Sequence, residues 1–131
     1  MRILLDTNCL TDVLRRDPGV VRTVEEALEV WLPFITFAEI QAGFHAGSPS
    51  RRAHNEALLA RFLSLPAVDT IYPDRETTAV YARVFSQLRE AGTPIPTNDL
   101  WIASLAIQHQ LTLVSRDAHF AKIPQVARAK P

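Results

Sequence analysis

With Cys9 as its one cysteine, the chain can form no internal disulfide, which fits a reducing compartment. No motif around Cys9 suggests an activated thiol, so it is expected to be a small buried residue. Long apolar runs are missing too: none approaches the roughly 18 residues that cross a bilayer. The first apolar run is three residues long and ends in an acid, unlike the core of a signal peptide. A soluble, cytoplasmic protein is expected. Charge of one sign does not dominate either, since 14 basic residues stand against 14 acidic ones. That balance shows no bulk attraction to nucleic acid or membrane. If four carboxylates were sequestered around a metal, however, the remainder would be mildly basic and suited to a polyanion. Paired histidine spacing is lacking among His45, His54, His109 and His119, for which surface or packing roles are expected.

What is present suits one compact domain spanning residues 1–131. Ile3-Leu4-Leu5, bounded by Arg2 and Asp6, predicts a short strand buried on both faces. Leu10, Val13 and Leu14 predict a helix over about 7–16. Asp17-Pro18 is a helix start, followed by Val20, Val24 and Leu28 in a helix expected to reach residue 29. Residues 31–35 are apolar but hold Pro33, which predicts a short strand near a sheet edge or end. A helix is expected to open at Thr36, with Phe37, Ile40 and Phe44 as its core stripe. Residues 45–55 are the most polar stretch and are expected to form an exposed turn before a helix carrying Leu58, Phe62 and Leu65.

Residues 68–72 predict a third strand. Asp74 is expected to cap a long helix with Val80, Val84, Leu88 and Ala91 on one stripe, stopped by Gly92. Thr97 is a plausible N-cap for a helix through about residue 110, apolar nearly all round except for Ser104 and Gln108. Residues 111–115 predict a fourth strand, and the tail a weak edge strand near Val126. Helices alternating with short buried strands predict an α/β fold, a sandwich around a parallel sheet.

Chemistry in such sheets gathers at the carboxyl ends of the strands. Four acids fall where that edge is built: Asp6 after the first strand, Glu39 near the start of the Thr36 helix, Asp99 in the first turn of the apolar helix, and Asp117 after the fourth strand. Oxygen ligands of this kind select Mg²⁺ or Mn²⁺ over zinc. Without a cation, carboxylates so close would repel one another. Thr7, Asn8 and Ser115 are neutral groups near the same strand ends, able to orient a water or a phosphate oxygen. Each acid also has a plain structural explanation. Thr36 and Glu39 have capping-box spacing, which taken alone explains Glu39 better than a site does. Asp99 suits a helix dipole, and Asp117 suits a turn or N-cap. Asp6 is the hardest to explain away, and the joint placement argues for a site. Arg51 and Arg52 could touch a phosphate backbone, although an exposed basic helix face is the default. Trp31 and Trp101 are expected to pack.

The segments ILLDTNCLTDVL, TFAEIQAG, IPTNDLWIASLA and LVSRDAHF, in this order and spacing, resemble the PIN-domain family, and within it the toxin ribonucleases of VapBC-type toxin–antitoxin pairs. The resemblance spans essentially the whole chain. It implies a three-layer α/β/α sandwich with a short central parallel sheet, and a Mg²⁺- or Mn²⁺-dependent endoribonuclease. The family acids transfer onto Asp6, Glu39, Asp99 and Asp117, with Asp6, Asp99 and Asp117 holding metal and Glu39 positioning or deprotonating a water, or completing the metal shell through it. Thr7 and Ser115 match positions where a hydroxyl often lies near the metal, Ser115 replacing the commoner threonine. RNA substrate, a cognate antitoxin protein, and a homodimer or higher complex with the antitoxin are the partners implied. Two rivals stand beside this: a non-catalytic PIN-like module that binds RNA or a partner, and another Mg²⁺-dependent phosphoryl-transfer enzyme using Asp6 as nucleophile. The second normally needs a further nearby acid or a late lysine, and Lys122 and Lys130 lie in the tail.

Overall fold

The computed structural model describes residues 1–131. Strand β1 (Arg2–Leu5) is the centre of the molecule, with Ile3, Leu4 and Leu5 wholly buried. Helix α1 (Thr7–Leu14) follows at once, and α2 (Pro18–Glu26) starts where Asp17 accepts the backbone N–H groups of Gly19 and Val20 ahead of Pro18. The second helix stops at Glu26, short of its expected end. Glu29 instead opens β2 (Glu29–Pro33), where its carboxylate accepts from Arg2 Nε at 2.8 Å and Trp31 Nε1 at 2.9 Å. Those two bonds favour the extended chain over one more helical turn.

Helix α3 (Phe34–His45) begins two residues before Thr36, directly after Pro33 at the end of β2. The expected turn at 45–55 is mostly helix. Ser48 caps and Pro49 opens α4 (Pro49–Leu63), so the polar residues there are the solvated face of a helix. Strand β3 (Val68–Ile71) leads to α5 (Arg75–Glu90), capped by a reciprocal pair of bonds between Asp74 and Thr77. Gly92, at φ 69°, ends it, with Thr93 N–H reaching back to the Leu88 carbonyl at 2.9 Å. Helix α6 (Thr97–Gln108) has Pro96, not Thr97, as its N-cap residue. The two polar residues of its otherwise apolar surface differ in exposure. Ser104 is fully buried and bonds its own Leu100 carbonyl, while Gln108 donates to Asp74 and accepts from Thr77. Strand β4 (Thr112–Val114), a 3-10 helix (Ala118–Lys122) and β5 (Arg128–Ala129) complete the chain. The edge strand forms just beyond Val126, whose side chain is in the core.

The five strands lie in the order β3-β2-β1-β4-β5, all parallel. Side chains alternate across them. Ile3 and Leu5 join Val30, Leu32 and Val114 against α1 to α4, whereas Leu4 and Leu113 face α5, α6 and the 3-10 helix. Two apolar layers on opposite faces of one sheet give the α/β/α sandwich. Because every strand runs the same way, all carboxyl ends meet at one edge.

Replacing Leu4 by Ala removes the side chain through which β1 grips the α5/α6 layer. A loss of about 2–5 kcal/mol in unfolding free energy is expected, read from urea denaturation.

Candidate active site

Asp6 is the first residue past β1 and is 5% exposed. It is not idle structurally. Oδ1 accepts the Cys9 N–H at 2.8 Å, capping α1, and Oδ2 accepts the Ser115 hydroxyl. Ser115 in turn accepts the backbone N–H of Asp117 at 2.9 Å. The ends of β1 and β4 are thus joined through one serine. Arg116, between these residues, pairs with Asp12 at 2.7 Å and Asp17 at 3.1 Å, pinning the segment to α1 and the start of α2.

Glu39 lies in the second turn of α3, because that helix begins at Phe34. The capping-box explanation therefore fails: the N-cap of α3 makes no side-chain bond, and Thr36 is inside the helix. The Glu39 carboxylate accepts the Thr7 hydroxyl at 2.7 Å, and Thr36, fully buried, offers its hydroxyl to the Leu5 carbonyl at 3.4 Å. Asp99 enters from the first turn of α6. Asp117 caps the 3-10 helix by accepting the His119 N–H at 2.8 Å, as the turn explanation anticipated.

Asp6, Thr7, Asn8, Glu39, Asp99, Ile102 and Asp117 line one cleft of about 110 Å³ at the carboxyl edge of the sheet. All four candidate acids are brought together, with Thr7 and Asn8 on the wall and Ser115 bonded behind Asp6. Arg51 and Arg52 do not line it. They sit on the first turn of α4, where Arg52 meets His45 Nδ1 at 3.0 Å.

His119, expected in a surface or packing role, is a side chain that the structure adds to the acidic cluster. Its Nδ1 lies 2.9 Å from Asp99 Oδ2 and 3.2 Å from Asp117 Oδ1. The one hint was its position two residues after Asp117, meaningless until the 3-10 turn folds the ring back over the carboxylate. Ligand atoms of Asp99, Asp117 and His119 all lie within 4.8 Å of one another, close enough to share one cation. Two of the three are carboxylates, which suit Mg²⁺ or Mn²⁺, and His119 stands in this trio where Asp6 was expected, Asp6 lining the same cleft. Burial pushes the Asp99 carboxyl above its usual range. The bond to His119 opposes this, and the charges of Asp117 and Glu39 add to the rise. Cys9 is pushed up to about 12 by burial and the neighbouring Asp6, so its thiol is inert.

A parallel α/β sandwich with carboxylates gathered on the carboxyl edge of its sheet defines the class. The PIN domain family model matches residues 3–126, and the chain belongs to that family. It is 33% identical over 121 residues to the toxin FitB of Neisseria gonorrhoeae, covering 88% of this chain and 87% of that protein. Identity to ribonuclease VapC1 of Haemophilus influenzae (strain R2866) is 28% over 121 residues, covering 89% and 87%. Among solved structures, VapBC2 from Rickettsia felis bound to a DNA fragment from its promoter superposes with a TM-score of 0.87 at 27% identity, covering 99% of this chain and 98% of that one.

Two outcomes follow from the electrostatics. A carboxyl whose pKa is raised by folding stabilises the native state below the unfolded pKa and loses that contribution as pH rises through the folded value. In EDTA, Asp99→Asn is therefore expected to raise the melting temperature at pH 7, with the gain shrinking to nothing as pH falls below the ordinary Asp pKa of about 3.9. Native protein at pH 8 is expected to leave Cys9 unalkylated by iodoacetamide, as mass spectrometry reads, while unfolded protein reacts fully.

Proposed function

We propose that this chain is a divalent-metal-dependent endoribonuclease, the toxin of a toxin–antitoxin pair, acting in the cytoplasm as one domain of residues 1–131. The observation that carries the proposal is the convergence of Asp6, Glu39, Asp99 and Asp117 on one cleft, in a chain whose relatives bear the names toxin and ribonuclease. No helix is long and apolar enough to cross a membrane. The Rickettsia felis structure is a VapBC pair on DNA, which supports an antitoxin protein as the partner here, with the toxin as a homodimer or in a higher complex with it.

Asp6, Asp99 and Asp117 would hold Mg²⁺ or Mn²⁺, with His119 adjoining. When bound, the ion supplies Lewis-acid stabilisation of the charge that builds on the phosphate and lowers the pKa of water. The chain's own groups do the rest. Glu39, held by the Thr7 hydroxyl, accepts the proton of the attacking water. Asn8, exposed on the cleft wall, donates to a phosphate oxygen. Asp6, fixed by two hydrogen bonds, costs little reorganisation as the substrate arrives. Attack by water forms a new P–O bond and breaks the P–O3′ bond; the leaving 3′-oxygen takes a proton from solvent, giving a 3′-hydroxyl on one fragment and a 5′-phosphate on the other.

The test is cleavage of total RNA by refolded protein, freed of any partner, in Mg²⁺ or Mn²⁺ and in EDTA. Discrete metal-dependent fragments with 5′-phosphate ends are expected. Asp6→Asn and Asp99→Asn are expected to lower the rate by more than about a hundredfold, beyond the loss typical of an outer-sphere partner. Wild-type rates in either variant would dismiss this site, and a 2′,3′-cyclic phosphate product would dismiss the water-driven cut.

A further inference from the structure

A second hollow, of about 290 Å³, opens beside the acidic cleft and shares two walls with it, Thr7 and Glu39. We propose that it seats the nucleotide flanking the scissile phosphate of a single-stranded RNA, with Arg15 and Asn55 reading that nucleotide and Gly43 keeping the floor open. The proposal rests on the ribonuclease function above. The hollow and the acidic cleft meet over Thr7 and Glu39, so a strand whose phosphate enters the cleft can lay one neighbour over that wall into the hollow.

The groups around it are those that hold an unpaired base. Arg15, at the end of α1, is exposed, and its guanidinium pairs with no carboxylate, whereas Arg2 and Arg116 are both paired. A free guanidinium plane stacks on bases and bonds phosphate. Asn55 is half-buried on α4. The side-chain bonds of that region are made by Ser48, Ser50, Arg52 and Ser64, so its amide keeps both donor and acceptor for a base edge. Phe44 adds a nearly buried aromatic surface.

Gly43 is the independent observation. It lies inside α3, where glycine is a poor helix former and alanine the best. No packing demands glycine, since a Cβ there would meet nothing within 4 Å. The backbone conformation does not demand it either, as its φ is not positive. What its missing side chain leaves is the open floor of the hollow. A wall that mixes a cation, an amide and an aromatic, and that runs into a carboxylate cleft, favours RNA over a purely apolar protein segment.

Gly43→Leu, Arg15→Ala and Asn55→Ala separate this from a structural role. Gly43→Leu is expected to melt no lower than the unsubstituted protein, because leucine is the better helix former, and to bind Mn²⁺ unchanged by calorimetry. On an RNA oligonucleotide pool with randomised bases, its KM is expected to rise by about tenfold with kcat little altered, because the leucine fills the seat and removes binding that is uniform between ground and transition state. Arg15→Ala and Asn55→Ala should flatten base preference at one position next to the cut. Unchanged KM and unchanged preference in all three would overturn the proposal. So would the loss of only a partner protein's binding, with RNA cleavage intact, which would give the hollow to that protein. If the unsubstituted protein cuts no RNA, the ribonuclease function itself fails, and its affinity for the same oligonucleotides decides the seat. Affinity weakened by Gly43→Leu and Arg15→Ala upholds it, and affinity indifferent to them, or no binding, removes it.

Discussion

The buried Asp6 carboxylate is the contact on which the rest of this structure turns. An ionised carboxylate removed from water costs several kcal/mol unless its oxygens are met by donors. Here one oxygen takes the Cys9 N–H and the other the Ser115 hydroxyl. The same group therefore starts α1 and ties the end of β1 to the end of β4. Ser115 passes the order on by accepting the Asp117 N–H, and Arg116 holds that stretch from outside through Asp12 and Asp17. Asp6 and Asp117 are thus placed by one continuous network.

Parallel pairing does the remaining work. Because β1, β2 and β4 run the same way, the residues that leave them emerge at one edge, where α3 and α6 bring Glu39 and Asp99 alongside. The arrangement is electrostatically expensive. Asp99 is held above its ordinary pKa by burial and by Asp117 and Glu39, with His119 offsetting part of that. Asp6 and Asp117 cap helices through their oxygens, but the negative charge gathered around a cleft of about 110 Å³ opposes folding. The gathering of the four acids in so small a space suits a cation as countercharge, and a site that weakens its own scaffold is a common cost of function.

Much of this was written locally. The Ile3 to Leu5 run, Asp17 before Pro18, Asp74 before α5 and Gly92 after it are signals that act within a few residues, and each is where its chemistry placed it. Other positions misled for physical reasons. Thr36 and Glu39 mimic a capping box, yet Pro33 at the end of β2 starts α3 earlier, so both lie inside the helix, Thr36 buried against the Leu5 carbonyl and Glu39 on the cleft wall. Polar composition at 45–55 describes solvent exposure, and an exposed helix is as polar as an exposed turn.

The chain's own order of residues was enough to determine the alternation of buried strands and helices and the parallel sandwich, and it singled out the four acids that the fold gathers at one cleft. Periodicity, caps and apolar runs are short-range properties, and Asp6, Asp99 and Asp117 fall at strand ends and a helix start that those properties define, whereas Glu39 lies in the second turn of α3. Tertiary structure alone decided which groups touch. The Ser115 to Asp6 bond spans 109 positions and the His119 to Asp99 contact spans 20. The hollow between Arg15, Gly43 and Asn55 exists only where α1, α3 and α4 meet. No local pattern encodes such meetings, because they are set by how two apolar layers close on one sheet, and that closure is a property of the whole fold.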